Sequence, residues 1–138
     1  YLLNCPKRKL IWIPQEITAE ECSAFLEEAR KLSREELGRL MIVVRMLGSD
    51  PSRLLDSKVP SPGEARKLTL ALGLSKTPWL VVMDEPTNHM DLPSVECLES
   101  ALNDYSGALV LVSHDREFLG NTTDIRWEIS SGRVSIIR

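Results

Sequence analysis

No run of apolar residues in this chain approaches the roughly 18 to 20 needed to cross a bilayer, and charged residues punctuate its amino terminus. Neither a membrane span nor a secretory signal is expected, and the chain reads as cytoplasmic. Zinc-type spacing is missing too. Cys5, Cys22 and Cys97 are odd in number, far apart and free of any Cys-x-x-Cys or Cys/His pattern, which leaves reduced thiols as the simplest reading. There is no polybasic stretch: 17 Lys and Arg stand against 20 Asp and Glu, a formal charge of -3, so any contact with nucleic acid would need surface from elsewhere. None of the seven glycines (Gly38, Gly48, Gly63, Gly73, Gly107, Gly120 and Gly132) is followed by lysine. The Gly-x-x-x-x-Gly-Lys-Ser/Thr loop, whose amides cradle phosphates, is therefore not in these residues.

What is present is an ordinary globular balance, 43% hydrophobic and 27% charged, over 138 residues. That length forms one domain with a real core but scarcely two. Leu10-Ile11-Trp12-Ile13 is a short apolar run stopped by Pro14, which reads as a strand feeding a loop at Gln15 and Glu16. Thr18 with Glu21, and Ser33 with Glu36, are capping-box patterns. They open two helices with apolar stripes at Cys22, Phe25, Leu26 and Ala29, and at Leu37, Leu40, Met41, Val44 and Leu47, the second ended by Gly48. Residues 18–60 thus read as a helical layer, closing in a polar, proline-containing stretch from Asp50 to Pro62.

Ser61-Pro62-Gly63-Glu64 places an N-cap serine, an N1 proline and an N3 glutamate in sequence and opens a helix over 61–76. From Trp79 the pattern becomes a continuous apolar run, as in a strand buried on both faces. A loop at Thr87 to Leu92, a helix stripe at Val95, Leu98, Ala101, Leu102 and Tyr105, and a second buried strand at Ala108 to Val112 follow. Strand, helix, strand implies a parallel pair with a crossover, so the fold class is α/β. Ile125 to Ile129 and Val134 to Ile137 flank Ser130-Ser131-Gly132-Arg133 and read as a closing β-hairpin over 125–138.

The chemistry gathers at the carboxyl ends of the two buried strands, where open α/β sheets place their ligand crevice. Asp84 and Glu85 follow Leu80-Val81-Val82-Met83 directly. Two adjacent acids there are costly to desolvate unless a cation or a proton-transfer task keeps them. Their side chains point different ways, so one can face a metal while the other faces an attacking water. Ser113-His114-Asp115 ends the next strand and offers an imidazole to a phosphate oxygen or to that water. An acyl-transfer triad is excluded, because consecutive residues on an extended segment cannot converge.

Asp84-Glu85-Pro86-Thr87-Asn88-His89-Met90-Asp91 resembles the Walker B and D-loop segment of ABC-type ATPase domains, and its Asn-His wording is similar to the ABC-F subfamily. The resemblance extends over the chain: Ile13-Pro14-Gln15-Glu16 as Q-loop in residues 1–17, Ser61-Pro62-Gly63-Glu64 as the signature, Ser113-His114-Asp115 as H-loop within a core over 77–124. It implies a P-loop NTPase-like fold acting on ATP with Mg2+. Asp84 would hold magnesium through water, Gln15 would reach metal or water, Glu85 would polarise the attacking water, and His114 would contact the γ-phosphate. Asp91 would lie at a dimer seam, and Ser61, the Gly63 amide and Glu64 would sit at a γ-phosphate bound by a second ABC ATPase domain packed head to tail.

The chain departs from the family's usual Leu-Ser-Gly-Gly-Gln at Pro62, which removes an amide donor, and at Glu64, whose carboxylate stands beside a phosphate site or turns back as capping partner. The missing phosphate loop makes the chain read as the carboxyl-terminal part of such a domain, inactive alone and prone to self-association through uncovered sheet edges. The implied partner is the ribosome for an ABC-F protein, or a membrane transporter subunit docked on the helical layer for a transport ATPase. A non-catalytic interaction module with a decayed nucleotide site is the third alternative.

Overall fold

The computed structural model describes residues 10–56 and 60–137; Cys5 lies outside them. Along the chain run β1 (Leu10–Ile13), α1 (Ala19–Arg30), α2 (Arg34–Met46), α3 (Pro51–Asp56), α4 (Pro62–Leu74), β2 (Leu80–Asp84), α5 (Leu92–Asn103), β3 (Ala108–Val112), α6 (Arg116–Thr122), β4 (Arg126–Ser130) and β5 (Arg133–Ile137). The first three strands form one parallel sheet in the order β1-β2-β3, with β2 in the middle. A separate antiparallel pair, β4-β5, turns through Ser131 and Gly132, both with positive φ (50° and 75°), the conformation that two-residue hairpin turns require.

The helix starts follow the capping chemistry. Thr18, Ser33 and Ser61 each cap their helix through the backbone of Glu21, Glu36 and Glu64, while each glutamate returns to the cap N–H at 2.9 Å. Gly48 follows α2 with φ 71°, a left-handed terminus that glycine supplies without a Cβ penalty.

Register divides the sheet into two unlike faces. Ile11, Val81 and Leu109 lie side by side, as do Ile13, Met83 and Leu111, and this face packs into a core with Leu26, Leu40, Val44, Leu68, Leu98, Leu102 and Phe118. Trp12, Val82 and Val110 share the opposite face, together with Asp84 and Val112. There Trp12, Val110 and Val112 are 57%, 49% and 55% exposed. No described helix is long and apolar enough to cross a membrane.

Four sequence expectations change. The stretch after Asp50 is not all loop: α3 forms because the Asp50 carboxylate accepts from the N–H groups of Ser52 and Arg53, and Leu54 is buried against the core. A further helix, α6, was not anticipated. Asp115 caps it through the N–H groups of Glu117 and Phe118, and Phe118 anchors it in the core. β3 is not buried on both faces. It is a sheet edge whose residues alternate between half-buried and exposed, whereas β2 has Val81, Val82 and Met83 all buried, as a central strand must. Trp79 also falls outside β2 and is exposed.

Candidate functional site

The site begins at the carboxyl end of β2. Asp84 is the last strand residue and stands on the open face of the sheet, half-buried. Glu85 leaves the strand with φ 47°, a left-handed conformation that costs a non-glycine residue about 1–3 kcal/mol and persists only where its surroundings over-determine it. They do so here. The Glu85 N–H donates to the Val112 carbonyl at 2.8 Å, which extends the β2-β3 ladder by one residue. Its carbonyl accepts from Asn88 N–H at 3.2 Å and from Arg66 Nη1 at 3.0 Å. Its carboxylate accepts from the His114 N–H at 3.1 Å and from Ser113 Oγ at 3.4 Å. Glu85 is only 9% exposed, yet its carboxylate is satisfied.

His114 is bound through its backbone and leaves its imidazole free. The ring is fully solvent-exposed, with Nε2 3.8 Å from Glu85 Oε1. No hydrogen bond among the described residues reaches the Asp84 carboxylate. No cluster of three or more metal-ligating side chains exists among them either. That donor set fits magnesium, which binds through one or two carboxylates plus water and substrate phosphates rather than an all-protein cage.

Arg66, in the second turn of α4, was not singled out from the sequence. It is 2% exposed, and its guanidinium donates to the carbonyls of Glu85, Asp84 (3.5 Å) and Gln15, the last a very short contact. Burial pushes its pKa down against the pull of the Asp84 and Glu85 carboxylates, and a guanidinium keeps its charge in a protein regardless. The available signal was α4 itself: Leu68, Leu70, Ala71 and Leu72 are apolar nearly all round, which marks a helix buried on every side whose first charged residues need partners.

Gln15 sits just past β1 with its side chain exposed, tied to Glu85 through Arg66. Ser61 caps α4, and Glu64 turns back onto the Ser61 N–H instead of facing outward. The hydrogen bonds from Ser61 hold the Glu64 carboxyl below its ordinary pKa. Asp91 caps α5 and accepts from Ser94 N–H at 3.1 Å, and the hydrogen bonds with Ser94 lower its pKa too. Gly63 lies against the His89 carbonyl, 2.9 Å from where a Cβ would stand, so the start of α4 and the loop before α5 fit only without a side chain there. A cleft of about 190 Å³ opens between these segments, lined by Gln15, Glu16, Ile17, Pro62, Arg66 and His89. Two groupings result. Asp84, Glu85, Ser113 and His114 meet at the strand ends, while Ser61, Gly63, Glu64 and Asp91 form a second surface whose described hydrogen bonds do not reach the first.

No protein-family model matches the chain. A solved structure of the ATP-binding subunit of an ABC transporter superposes with a TM-score of 0.73 at 24% identity, over 94% of this chain and 59% of that one. With this fold and with the sequence relatives that follow, the chain belongs to the class of ABC-type ATPases. Among curated sequences it is 33% identical over 137 residues to Elongation factor 3A of Saccharomyces cerevisiae, and 38% identical over 123 residues to the Ribosome protection protein VmlR of Bacillus subtilis. These matches take in 90% and 88% of the chain but only 13% and 21% of the two relatives. Its sequence kinship lies with the ABC-F proteins.

Proposed function

We propose that the chain supplies the metal-and-water half of an ATP-hydrolysing site in an ABC-F-type protein that works on the ribosome. The observation that carries this is the Glu85 carboxylate, held by the His114 N–H at the mouth of the sheet beside Asp84, whose carboxylate makes no hydrogen bond among the described residues. Glu85 orients the attacking water and takes up its proton as general base. Asp84 and Gln15 would hold the magnesium ion. When bound, the ion spreads the charge that develops on the transferring phosphoryl oxygens. His114, with its ring free in solvent, donates to the γ-phosphate.

The α4 amino terminus serves a nucleotide on a second ABC ATPase domain, packed head to tail. Helix-start amides and the positive dipole end favour an anion there, and Glu64 is kept from that anion by its bond to the Ser61 N–H. Asp91 lies at the seam between the two domains. The likeness to a ribosome protection protein of Bacillus subtilis supports the ribosomal side of the reading.

Without the phosphate loop the 138-residue chain binds ATP weakly and turns over no appreciable amount. Phosphate release by the chain, assayed beside Glu85→Gln, tests this: turnover that disappears with Glu85→Gln would show that these residues already hold a whole site. Co-sedimentation of the full-length protein with ribosomes in the presence of ATP tests the partner, and failure to pellet with them overturns it.

A further inference from the structure

We propose that Arg66 is a positioning residue that couples the amino-terminal turn of α4 to the conformation of Glu85. Its bearing on hydrolysis rests on the reading above; its effect on Glu85 does not. All three groups that Arg66 binds are main-chain carbonyls, one beyond β1 and two at the end of β2, so it fixes both strand ends without hydrogen-bonding the side chains of Gln15, Asp84 or Glu85. A buried cation that makes no hydrogen-bonded ion pair is costly, and packing alone would be served better by an apolar residue.

Glu85 needs what Arg66 provides. Its left-handed backbone is held from three directions: by β3 through Val112, by the Ser113-His114 turn through the carboxylate, and by Arg66 and Asn88 through the carbonyl. Only the Arg66 bond comes from α4. Gly63 and Arg66 are one helical turn apart on the same side of that helix, and Gly63 is wedged against the His89 carbonyl. A shift of the α4 start, such as closure onto an anion from a second domain would produce, therefore pulls on the Glu85 carbonyl directly. Lysine cannot replace the link, because one ammonium lacks the planar fork that spans two strand ends.

Residue-resolved amide hydrogen exchange on the 138-residue chain tests the coupling with Arg66→Lys and Arg66→Gln. The N–H groups of Asn88 and His114, which bind Glu85, are expected to exchange about tenfold faster or more in Arg66→Gln, as loss of a charge-assisted hydrogen bond implies. Arg66→Lys should fall between, while Val44 in α2 and Leu102 in α5 keep their protection. Unchanged exchange at Asn88 and His114, or equal acceleration everywhere in both variants, overturns the proposal. In the full-length protein, Arg66→Lys should lower kcat with KM unchanged. If turnover there does not depend on Glu85, the proposed function fails, and the exchange result still decides the role of Arg66.

Discussion

The backbone N–H of His114 donates to Glu85 Oε1 at 3.1 Å, while the imidazole of the same residue stands fully in solvent. One residue thus does two separable things: its main chain aims the carboxylate, and its ring is available to a ligand. Substitution of the side chain should leave the aim intact, and that separation makes the site testable.

Replacing Glu85 by Gln keeps an oxygen that can accept from the His114 N–H but removes the base proposed above. Chemical denaturation should place the variant within about 1 kcal/mol of the parent. Glu85-dependent turnover of the full-length protein should fall by about 10²- to 10⁴-fold, the usual contribution of a positioned base. His114→Ala should likewise keep the fold while weakening turnover.

Gly63→Ala puts a methyl group 2.9 Å from the His89 carbonyl, an overlap that backbone cannot absorb cheaply. A loss of about 1–3 kcal/mol in stability is expected from such overpacking. Gly38→Ala is the contrast: nothing lies within 4 Å of the new Cβ in the interior of α2. There the helix should gain about 0.5–1 kcal/mol. Equal effects at the two positions would contradict the close approach at Gly63.

The Glu64 carboxyl is held below its ordinary pKa by the Ser61 hydrogen bonds, with Arg53 and Lys67 assisting. A depressed folded-state pKa means that its stabilisation is fully present above the unfolded value, about 4.3, and is lost as pH falls through the folded value. Stability measured between neutral and acid pH should therefore decline less steeply in Glu64→Gln than in the parent. Glu36 and Asp91 shift in the same direction and will leave a residual slope, so the difference between the two proteins is the quantity to read. Ser61→Ala should cost about 1 kcal/mol at neutral pH, the usual value of a lost N-cap.

The open sheet face, with Trp12 exposed on β1 and Val110 and Val112 on β3, should drive association of the 138-residue chain. Sedimentation velocity across a concentration series is expected to show species larger than the monomer. Val110→Lys on edge strand β3 should shift the distribution toward monomer while the circular dichroism stays native. Unaltered association would point to the hairpin, whose Trp127, Ile129, Val134 and Ile136 share another exposed face.

Much of this was legible in the residues. The three Ser/Thr-x-x-Glu boxes set their helix starts because capping is local chemistry, complete within four residues. The hairpin was legible for the same reason, since Ser131-Gly132 carries its turn conformation with it. α3 and α6 are not legible in the same way, because Asp50 and Asp115 cap them without a glutamate three residues on and each helix is too short for its apolar spacing to repeat. β3 misled because an apolar run has the same composition at the centre of a sheet and at an open edge.

By itself, then, the sequence determined the starts of α1, α2 and α4, the parallel strand pair, and the candidate groups Asp84, Glu85 and His114 at the strand ends, with Gln15 added by the family resemblance. Only the tertiary structure decided which of the two acids faces the open side, that Ser113 and His114 hold Glu85, and that Arg66 binds carbonyls as far as 51 residues away in the chain. The physical reason is range. Caps, turns and apolar periodicity are settled between neighbours, whereas the pairing of a buried guanidinium depends on which strand ends the fold brings beneath it, and no local pattern encodes that.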